Sequence, residues 1–494
     1  MFYLGIDSGT QSTKSIVLDL ESGEIVAQSS EAYGLIEGLP AGHLEQNPAD
    51  WIKAVKSTIS DCLDQLGERK SSLRGIGVSG QQHGLVVLDA NDEVVRPAKL
   101  WCDTSTTDQC DQFAAEFGGA DGLISKAGNT MLPGYTIPKL LWLKQNEPEN
   151  FARTKSILLP HDYINFFLTG VKRMEFGDAS GMGILNIRDK SWETDLIDFV
   201  DPAVQEMLPE LGSSNVVHGS LRSELASEWC LSDELIVSAG GGDNMMGAIG
   251  TGNIADGIIT ASFGTSGTLY GCAENPVIDP NGEIAAFCDS TDRWMPLACT
   301  MNVTVVTERV RDWFGWDLAE LERQVDSVPP GAEGVSFLPY LNGERTPNLP
   351  NGTGVIHGLG GTSSSPAHLA RAAMEGATLG LAYGLRRFAA LGLTPGEIRL
   401  TGGGSKSSVW RQISADVFGV PVVGLATSEG AGLGGAIQAA HADGQGSYED
   451  LCVRLVSLDE TTRCVPDAER AALYSSKLDR QIEMTSVLKE AGLL

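Results

Sequence analysis

The stretch Asp7-Ser8-Gly9-Thr10-Gln11-Ser12-Thr13-Lys14 lies between two β-like runs, Phe2 to Ile6 before it and Ser15 to Leu20 after it. Two such runs joined by a turn rich in glycine and hydroxyl groups predict a β-hairpin. Glycine lets the backbone approach an anion closely, and successive N–H groups with Ser or Thr hydroxyls can hold phosphate oxygens. The start of the chain therefore predicts a phosphate-binding hairpin.

A second stretch of the same kind, Ser262-Phe263-Gly264-Thr265-Ser266-Gly267-Thr268, begins the second half of the chain. It also lies between β-like runs, Gly257 to Ala261 and Thr268 to Gly271. Neither stretch matches the GxxxxGK[ST] pattern of a P-loop between a strand and a helix. Either one alone is consistent with an ordinary hairpin turn. Because the two occupy matching positions in two halves, we expect them to hold one polyphosphate from both sides.

The bulk composition narrows the classes of protein. A chain of 494 residues is long enough for two or three domains. Its formal net charge of −29 argues against nucleic acid and against anionic membranes as partners, because both require clustered Lys and Arg. If the ligand is ATP, backbone N–H groups, a divalent metal and a few local cations must overcome this negative field.

Cysteine usage and hydropathy predict the compartment. The nine cysteines are scattered, odd in number and without a C-x-x-C pair, which argues against a disulfide framework and against a zinc site. The N-terminus enters a strand with no basic segment and no apolar signal core. No apolar stretch reaches the ~18 residues of a spanning helix. We expect a reduced, cytoplasmic protein.

Capping residues and glycine clusters predict two α/β domains, residues 1–248 and 249–494, which face each other across a cleft. Asn47 before Pro48 marks the start of a helix that runs to about residue 66. A long helix is expected from about Pro366 to Ala390. The glycine-rich segment Gly430 to Gly435 is expected to precede a helix, and the tail from about residue 445 is expected to be helical and to pack back on the body.

Two acidic residues are candidates for the chemistry. Gly240-Gly241-Gly242-Asp243 follows a predicted buried strand, and ligands of open α/β sheets collect at the carboxyl ends of strands. There Asp243 can accept a proton from a substrate hydroxyl, unless it simply caps the next helix. Asp7, at the mouth of the first hairpin, would repel phosphate unless a cation such as Mg²⁺ lies between them. The alternative for Asp7 is a turn-forming residue.

Other polar residues are candidates for ligand contacts. Gln82 and His83 lie between two apolar runs and can hydrogen-bond a polyol, although a satisfied core histidine is equally consistent with this position. In Trp101-Cys102-Asp103 an aromatic face lies beside an acid, which suits a sugar. The glycines Gly402-Gly403-Gly404 allow close approach of adenine or ribose, and the helix N-terminus that follows favours phosphate.

The order of these blocks resembles the FGGY family of carbohydrate kinases, within the sugar kinase/Hsp70/actin superfamily. The resemblance covers about residues 3 to 445, and its most specific parts are the motifs from Gly134 to Leu143 and from Gly404 to Val422. It implies an α/β fold of two ribonuclease H-like (actin-like ATPase) domains facing each other across a cleft. It also implies an enzyme that uses ATP and Mg²⁺, with the sugar site, first hairpin and base in the first domain and the second hairpin, adenosine site and tail in the second.

The resemblance implies a role for each candidate residue. Asp243 is the catalytic base, and Asp7 lies near the metal. The residues expected to contact the sugar are Gln82, His83, Trp101, Asp103, Asp243 and Asn244. Those expected to contact ATP are Thr10, Gln11, Ser12, Lys14, Gly264, Thr265, Gly403, Gly404 and Ser408.

The expected substrate is a ketopentose, with D-xylulose favoured and ribulose or ribitol as alternatives. One departure bears on this choice, because the family commonly reads Trp-Asn-Asp-x-Arg where this chain has Trp101-Cys102-Asp103-Thr104-Ser105. The missing guanidinium changes the hydrogen-bond donors of the sugar pocket. An ATPase switch of the Hsp70 or actin type and a sugar-responsive repressor are rivals, but we find no extra binding domain and no basic DNA-binding arm. A homodimer is left open.

Overall fold

Two mixed β-sheets, one in each half of the chain, organise the computed structural model, which describes residues 1–494. The first sheet has the order β5-β6-β4-β1-β2-β3, with β7 pairing with β4 beyond the end of β6. Its strands are β1 (Phe2–Ser8), β2 (Ser12–Asp19), β3 (Ile25–Ala32), β4 (Leu73–Gly80), β5 (Val217–Ser220), β6 (Ile236–Ser238) and β7 (Gly241–Gly242).

The second sheet repeats this arrangement in the order β10-β11-β9-β8-β12-β13-β14. In both sheets an antiparallel hairpin, β1–β2 or β8–β9, is followed on its other side by parallel strands, β4 and β6 or β12 and β13. Both predicted hairpins are thereby confirmed. The strands of the second sheet are β8 (Ile258–Phe263), β9 (Gly267–Gly271), β10 (Ala285–Cys288), β11 (Trp294–Thr300), β12 (Glu397–Thr401), β13 (Val422–Leu425) and β14 (Leu458–Cys464).

Helices cover the faces of both sheets, and short strands pair in the connecting segments. The helices are α1 (Pro48–Leu66), α2 (Thr107–Glu116), α3 (Gly119–Ala127), α4 (Thr136–Asn146), α5 (Pro148–Arg153), α6 (Pro160–Thr169), α7 (Phe176–Ala179), α8 (Thr194–Val200), α9 (Val204–Met207), α10 (Ser223–Trp229), α11 (Asp243–Gly250), α12 (Thr304–Phe314), α13 (Leu318–Asp326), α14 (Pro366–Ala390), α15 (Ser408–Phe418), α16 (Gly430–Ala442), α17 (Tyr448–Leu455) and α18 (Ala468–Glu490). The short strand pairs are 45–46 with 98–99, 86–88 with 156–158, 173–175 with 210–212, 185–186 with 191–192, and 336–338 with 355–357.

The first helix begins where Asn47 and Pro48 predict, and it ends at Leu66, as expected. The Asn47 side chain accepts a hydrogen bond from the backbone N–H of Ala49, and Pro48 occupies the first turn, where its missing N–H costs nothing. The buried face of α1 packs on the first sheet, with Val55 and Ile59 in the same core cluster as Leu4. The predicted helix from 366 to 390 is likewise confirmed, as α14.

The glycine-rich segment from Gly430 to Gly435 lies inside a helix, so the prediction that it precedes one is wrong. This helix, α16, packs against β1 and β4 of the first sheet and against α11. A β-carbon at Gly434 would lie 1.9 Å from the carbonyl oxygen of Met246, and one at Gly77 would lie 1.9 Å from that of Gly435. These glycines therefore allow close packing of backbones, and that packing offsets their low helix propensity.

The tail packs back on the body as expected, but it is not wholly helical. Between α17 and α18 the chain forms β14, which pairs antiparallel with β13 at the edge of the second sheet. Its sequence, Leu-Asp-Glu-Thr-Thr-Arg-Cys, is polar, as is common for an edge strand, and this polarity masks the strand signal. The predicted division between residues 248 and 249 falls inside α11. None of the helices combines the length and apolar character that a membrane span requires.

Candidate active site

Three strands of the first sheet end at one place. Asp7 is the penultimate residue of β1, Ser79 is the penultimate residue of β4, and β7 runs directly into Asp243. Asp7 is paired with Ser79, and Gly241 is also paired with Ser79, both in parallel register. The carboxyl ends of these strands therefore meet at one edge, and two acids from motifs far apart in the sequence lie in one site.

Asp243 is held by its neighbour Asn244 at the start of α11. The Asp243 Oδ1 accepts hydrogen bonds from the Asn244 backbone N–H at 2.8 Å and from the Asn244 side-chain amide at 3.0 Å. The same amide donates to the Gln82 Oε1 at 2.8 Å. Asn244 thus links the carboxylate to the predicted sugar loop, and the Oδ2 of Asp243 accepts no hydrogen bond from the chain.

The environment of Asp243 favours a general base. Burial raises the pKa of this carboxyl to about 7, the charges of Asp7 and Asp178 add to the rise, and the Asn244 donors oppose it. Asp178 is itself buried and lies 2.7 Å from the Nδ1 of His161. A carboxylate whose pKa lies near neutral pH is ionised in part at that pH and can accept a proton in the reaction.

Asp7 has the donor set that a hard cation requires. Its Oδ1 accepts a hydrogen bond from the Ser79 hydroxyl at 3.0 Å. Burial raises its pKa, the Ser79 hydrogen bond and the Lys14 charge lower it, and the Glu429 charge raises it further. Two half-buried carboxylates that repel each other, each with an Oδ2 unused by the chain, fit a divalent metal such as Mg²⁺.

Hydrogen bonds connect the first hairpin loop to Trp101, a predicted sugar contact, and to Gln46. The Trp101 indole N–H donates to the Thr10 hydroxyl at 3.0 Å, and the Gln46 amide donates to the Thr10 carbonyl at 2.6 Å. Gln11 is exposed and Ser12 is half-buried, so both face the open side of the loop. Lys14 pairs with Glu429 of the second half, with 3.5 Å between Nζ and Oε1.

The second hairpin loop lies beside the predicted adenosine glycines. Backbone N–H groups at the start of α12 hold this loop. The Gly264 carbonyl accepts from the Thr304 N–H at 3.0 Å, and the Thr265 carbonyl accepts from the Val303 N–H at 3.1 Å. The side chain of Thr265 is exposed. The turn with Gly403 and Gly404 packs against the strand that carries this loop, and Ser408 begins α15 on the surface; a β-carbon on Gly404 would lie 3.0 Å from the Phe263 Cβ.

His83 presents a neutral ring in the predicted sugar region, which comprises Gln82, His83 and residues 101–105. Its backbone has a positive φ of 64°, and its carbonyl accepts hydrogen bonds from the Lys139 Nζ at 2.7 Å and from the Thr136 hydroxyl at 3.1 Å. The ring packs between Tyr135 and Phe287. Burial lowers the pKa of His83 well below its usual value, and the nearby Lys139 charge acts in the same direction. The neutral ring offers one donor and one acceptor to a sugar.

Asp103, a predicted sugar contact, is fully buried, and both of its oxygens accept hydrogen bonds from the chain. Its Oδ2 accepts from the Leu44 N–H and from the Lys99 Nζ, and its Oδ1 accepts from the Ser105 N–H and hydroxyl. Asp103, Glu45 and His43 lie close enough together to bind a metal ion. The Lys99 Nζ is 3.2 Å from both the Glu45 Oε1 and the His43 Nδ1, so this ammonium takes the position that a metal would need. The contact of Asp103 with a sugar stays a prediction. Its hydrogen bonds to Leu44, Lys99 and Ser105 favour a structural role, in which Asp103 holds the segment that carries Trp101.

Several residues of the site were not assigned from the sequence. Ser79 holds Asp7, Thr268 donates to the Asn244 Oδ1 at 3.4 Å, and Glu429 faces Lys14 from the other half. Ser79 precedes Gly80 at the carboxyl end of a strand, a position at which ligands of open α/β sheets collect, so the sequence could have indicated it. Thr268 belongs to the second predicted loop, where the sequence alone indicates no role for it, and nothing near Glu429 in the sequence points to this site.

Family models match nearly the whole chain. The N-terminal domain of the FGGY family of carbohydrate kinases matches residues 2–250, and the C-terminal domain matches residues 259–442. The chain therefore belongs to the FGGY family of carbohydrate kinases and is an ATP-dependent sugar phosphotransferase. The predicted family, enzyme class and two-sheet fold are confirmed.

Individual relatives extend the comparison. The chain is 42% identical over 492 residues to a xylulose kinase of Haemophilus influenzae, covering 98% of this chain and 100% of the relative. The solved structure of a xyloylose kinase from Brucella ovis superposes with a TM-score of 0.93 at 29% identity, over 99% of this chain and 100% of that one. A gluconate kinase from Lactobacillus acidophilus superposes with a TM-score of 0.92 at 26% identity, over 99% and 98%. The fold is thus the ribonuclease H-like fold of sugar kinases.

Proposed function

We propose that the protein transfers the γ-phosphoryl group of ATP to the terminal hydroxyl of D-xylulose, giving D-xylulose 5-phosphate for pentose catabolism in the cytoplasm. The observation that carries the proposal is the link from Asp243 through Asn244 to Gln82, beside Asp7 and the first hairpin. The 42% identity to a xylulose kinase supports the choice of sugar. Ribulose and ribitol remain the alternative substrates.

In the proposed reaction Asp243 acts as the base. Its free Oδ2 accepts the proton of the terminal sugar hydroxyl as the hydroxyl oxygen forms a bond to the γ-phosphorus. The bond from the γ-phosphorus to the bridging oxygen breaks, and ADP leaves. The Asn244 amide donates to both Asp243 and Gln82, so it holds the base at a fixed position relative to the predicted sugar loop.

The two hairpins and Asp7 provide for the charge of the polyphosphate. Mg²⁺ held near Asp7 would neutralise negative charge on the phosphate oxygens. The loops with Thr10 and Thr265 come from different halves of the chain, so both halves contribute to the phosphate site. Closure of the two halves on the substrates would exclude water and limit hydrolysis of ATP.

The pH dependence follows from the raised pKa of Asp243. The base has to be ionised to accept a proton, so we expect kcat/KM for the sugar to rise with pH through an apparent pKa of about 7. Steady-state rates over a pH series check this, with the KM for ATP measured in parallel. A profile that stays flat from about pH 5 to 8 contradicts the assignment of the base.

A panel of sugars in a coupled ADP-release assay tests the substrate. D-xylulose should give the highest kcat/KM, at least about 10-fold above D-ribulose, ribitol and gluconate, because unpaired polar groups in a pocket penalise the wrong sugar. A higher value for gluconate or ribitol contradicts the proposed substrate. ADP release that no sugar stimulates would instead favour an ATPase switch.

A further inference from the structure

A guanidinium from the second half of the chain reaches the sugar region that lacks the arginine common in the family. Arg345 donates from its Nη1 to the Sγ of Cys299 at 3.9 Å. A β-carbon at Gly134 would lie 3.9 Å from the Arg345 Nη2 and 2.7 Å from the Trp101 carbonyl oxygen. Arg345 and the Trp101 carbonyl thus lie on the same side of Gly134, which places the guanidinium near the segment in which Cys102 and Ser105 replace the family's Asn and Arg.

Two rows of contacts connect Arg345 to the predicted sugar contacts. On one side Asn244 accepts from Thr268, Thr268 is paired with Cys299 across β9 and β11, and Cys299 contacts Arg345. On the other side the Lys139 ammonium donates to the carbonyls of both His83 and Gly134, at 2.7 Å each. The two rows meet at the Arg345 guanidinium, which contacts Cys299 and lies beside Gly134.

The effect of the Arg345 charge on neighbouring groups is consistent with these contacts. Burial is the largest cause of the pKa shifts of His83, Tyr135 and Cys299, and the positive charge of Arg345 acts on each of the three groups. The same charge acts on the buried ammonium of Lys139. Groups from both halves of the chain thus lie close enough to Arg345 to respond to it.

The backbone at Arg345 is fixed, whereas its side chain has unused donors. The buried Glu344 accepts hydrogen bonds from the N–H groups of Met301 and Arg345 and from the Asn302 amide. The half-buried guanidinium itself has one polar contact, to a sulfur atom, which is a weak acceptor. A guanidinium has five N–H donors, so most of them are available to a ligand.

We propose that Arg345 is a substrate-binding residue whose guanidinium donates hydrogen bonds to the carbonyl oxygen of the ketose, at the end away from Asp243. The inference rests on the proposed function and adds the residue that selects a ketose. A guanidinium only donates and a ketone oxygen only accepts, so the two groups are complementary. An alditol carries a hydroxyl at that position, which accepts from the guanidinium only when its own hydrogen is turned away, so the alditol hydroxyl is the less favourable acceptor. Arg345 therefore favours a ketose over the matching alditol.

The test compares Arg345→Ala and Arg345→Lys with a control, Arg386→Gln, which removes a surface arginine paired with Asp479. We expect Arg345→Ala to raise the KM for D-xylulose about 10- to 100-fold, the range for a lost hydrogen bond from a charged donor. The inhibition constant of xylitol should rise much less, and the KM for ATP should stay within about 2-fold. Arg345→Lys should give an intermediate KM for the sugar, since it keeps the charge without the fork.

Three results separate the possible failures. A folded Arg345→Ala variant with an unchanged KM for D-xylulose overturns the role of Arg345, and so does an equal rise in the KM for D-xylulose and the inhibition constant of xylitol. If Arg345→Ala does not fold, the same comparison is made with Arg345→Lys, whose KM for the sugar must then exceed that of the wild type. A wild-type protein that phosphorylates no ketopentose overturns the proposed function itself.

Discussion

Replacement of Asp243 by alanine is expected to lower sugar-dependent ADP release by a factor of about 10² to 10⁴, the usual contribution of a general base. The Oδ2 of Asp243 is the acceptor that the proposed reaction uses, and the remaining carboxylates of the site are engaged by Ser79 or by His161. Nucleotide binding should persist, because both hairpins are intact. Single-turnover rates and ATP affinity by calorimetry measure the two effects. Turnover within about 10-fold of the wild type would exclude Asp243 as the base.

The isosteric variant Asp243→Asn separates catalysis from stability. Burial raises the pKa of Asp243 from 3.8 to about 7, so the folded state holds its proton more tightly than the unfolded state does. The stability that this proton contributes is present below pH 3.8 and is lost as pH rises through about 7. Asp243→Asn should therefore raise the free energy of unfolding at pH 8 more than at pH 4. Urea titrations of the wild type and of Asp243→Asn at the two pH values check this. A variant less stable than the wild type at pH 8 would contradict it.

Replacement of Asp7 by asparagine is expected to lower turnover at least about 10²-fold and to raise the Mg²⁺ concentration needed for half-maximal rate. Asparagine keeps the size and can still accept from Ser79, but it removes the negative charge that a divalent cation requires. Titration of the rate with Mg²⁺ and direct measurement of Mg²⁺-dependent ATP affinity are the readouts.

A carboxylate in the same hairpin provides the control for Asp7. Asp19 ends β2 and lies near the N-terminal amine, away from the loop, so Asp19→Asn should leave the Mg²⁺ dependence unchanged. An Asp7→Asn variant with the Mg²⁺ dependence of the wild type would remove Asp7 from the metal site. Equal losses in both variants would point to damage to the hairpin rather than to a metal role.

Local signals in the sequence were enough for the parts of the molecule that depend on neighbouring residues. The two hairpins follow from a turn between β-like runs, and α1 follows from Asn47 and Pro48. Asp7 lies at the end of its strand and Asp243 directly after one, and parallel strands bring their carboxyl ends together without further information.

Contacts between distant segments were not readable from the sequence. The glycines of α16 indicate a turn by composition, and only the carbonyls of Met246 and Gly77 packed against them explain a helix. Lys99, four residues before Asp103, is the cation that saturates it, which composition alone does not show. Arg345 reaches the sugar region from the other half of the chain, so a scan of residues 101–105 finds a missing guanidinium but not its replacement.

The most direct test of the proposed function is to identify the product formed by the wild-type protein from D-xylulose and ATP with Mg²⁺. Phosphorus and carbon NMR of the product should show a phosphomonoester at the terminal carbon, with one ADP formed per sugar phosphate. ADP with inorganic phosphate and unchanged sugar would contradict phosphoryl transfer to the sugar. An ester at another carbon would contradict the placement of the terminal hydroxyl at Asp243.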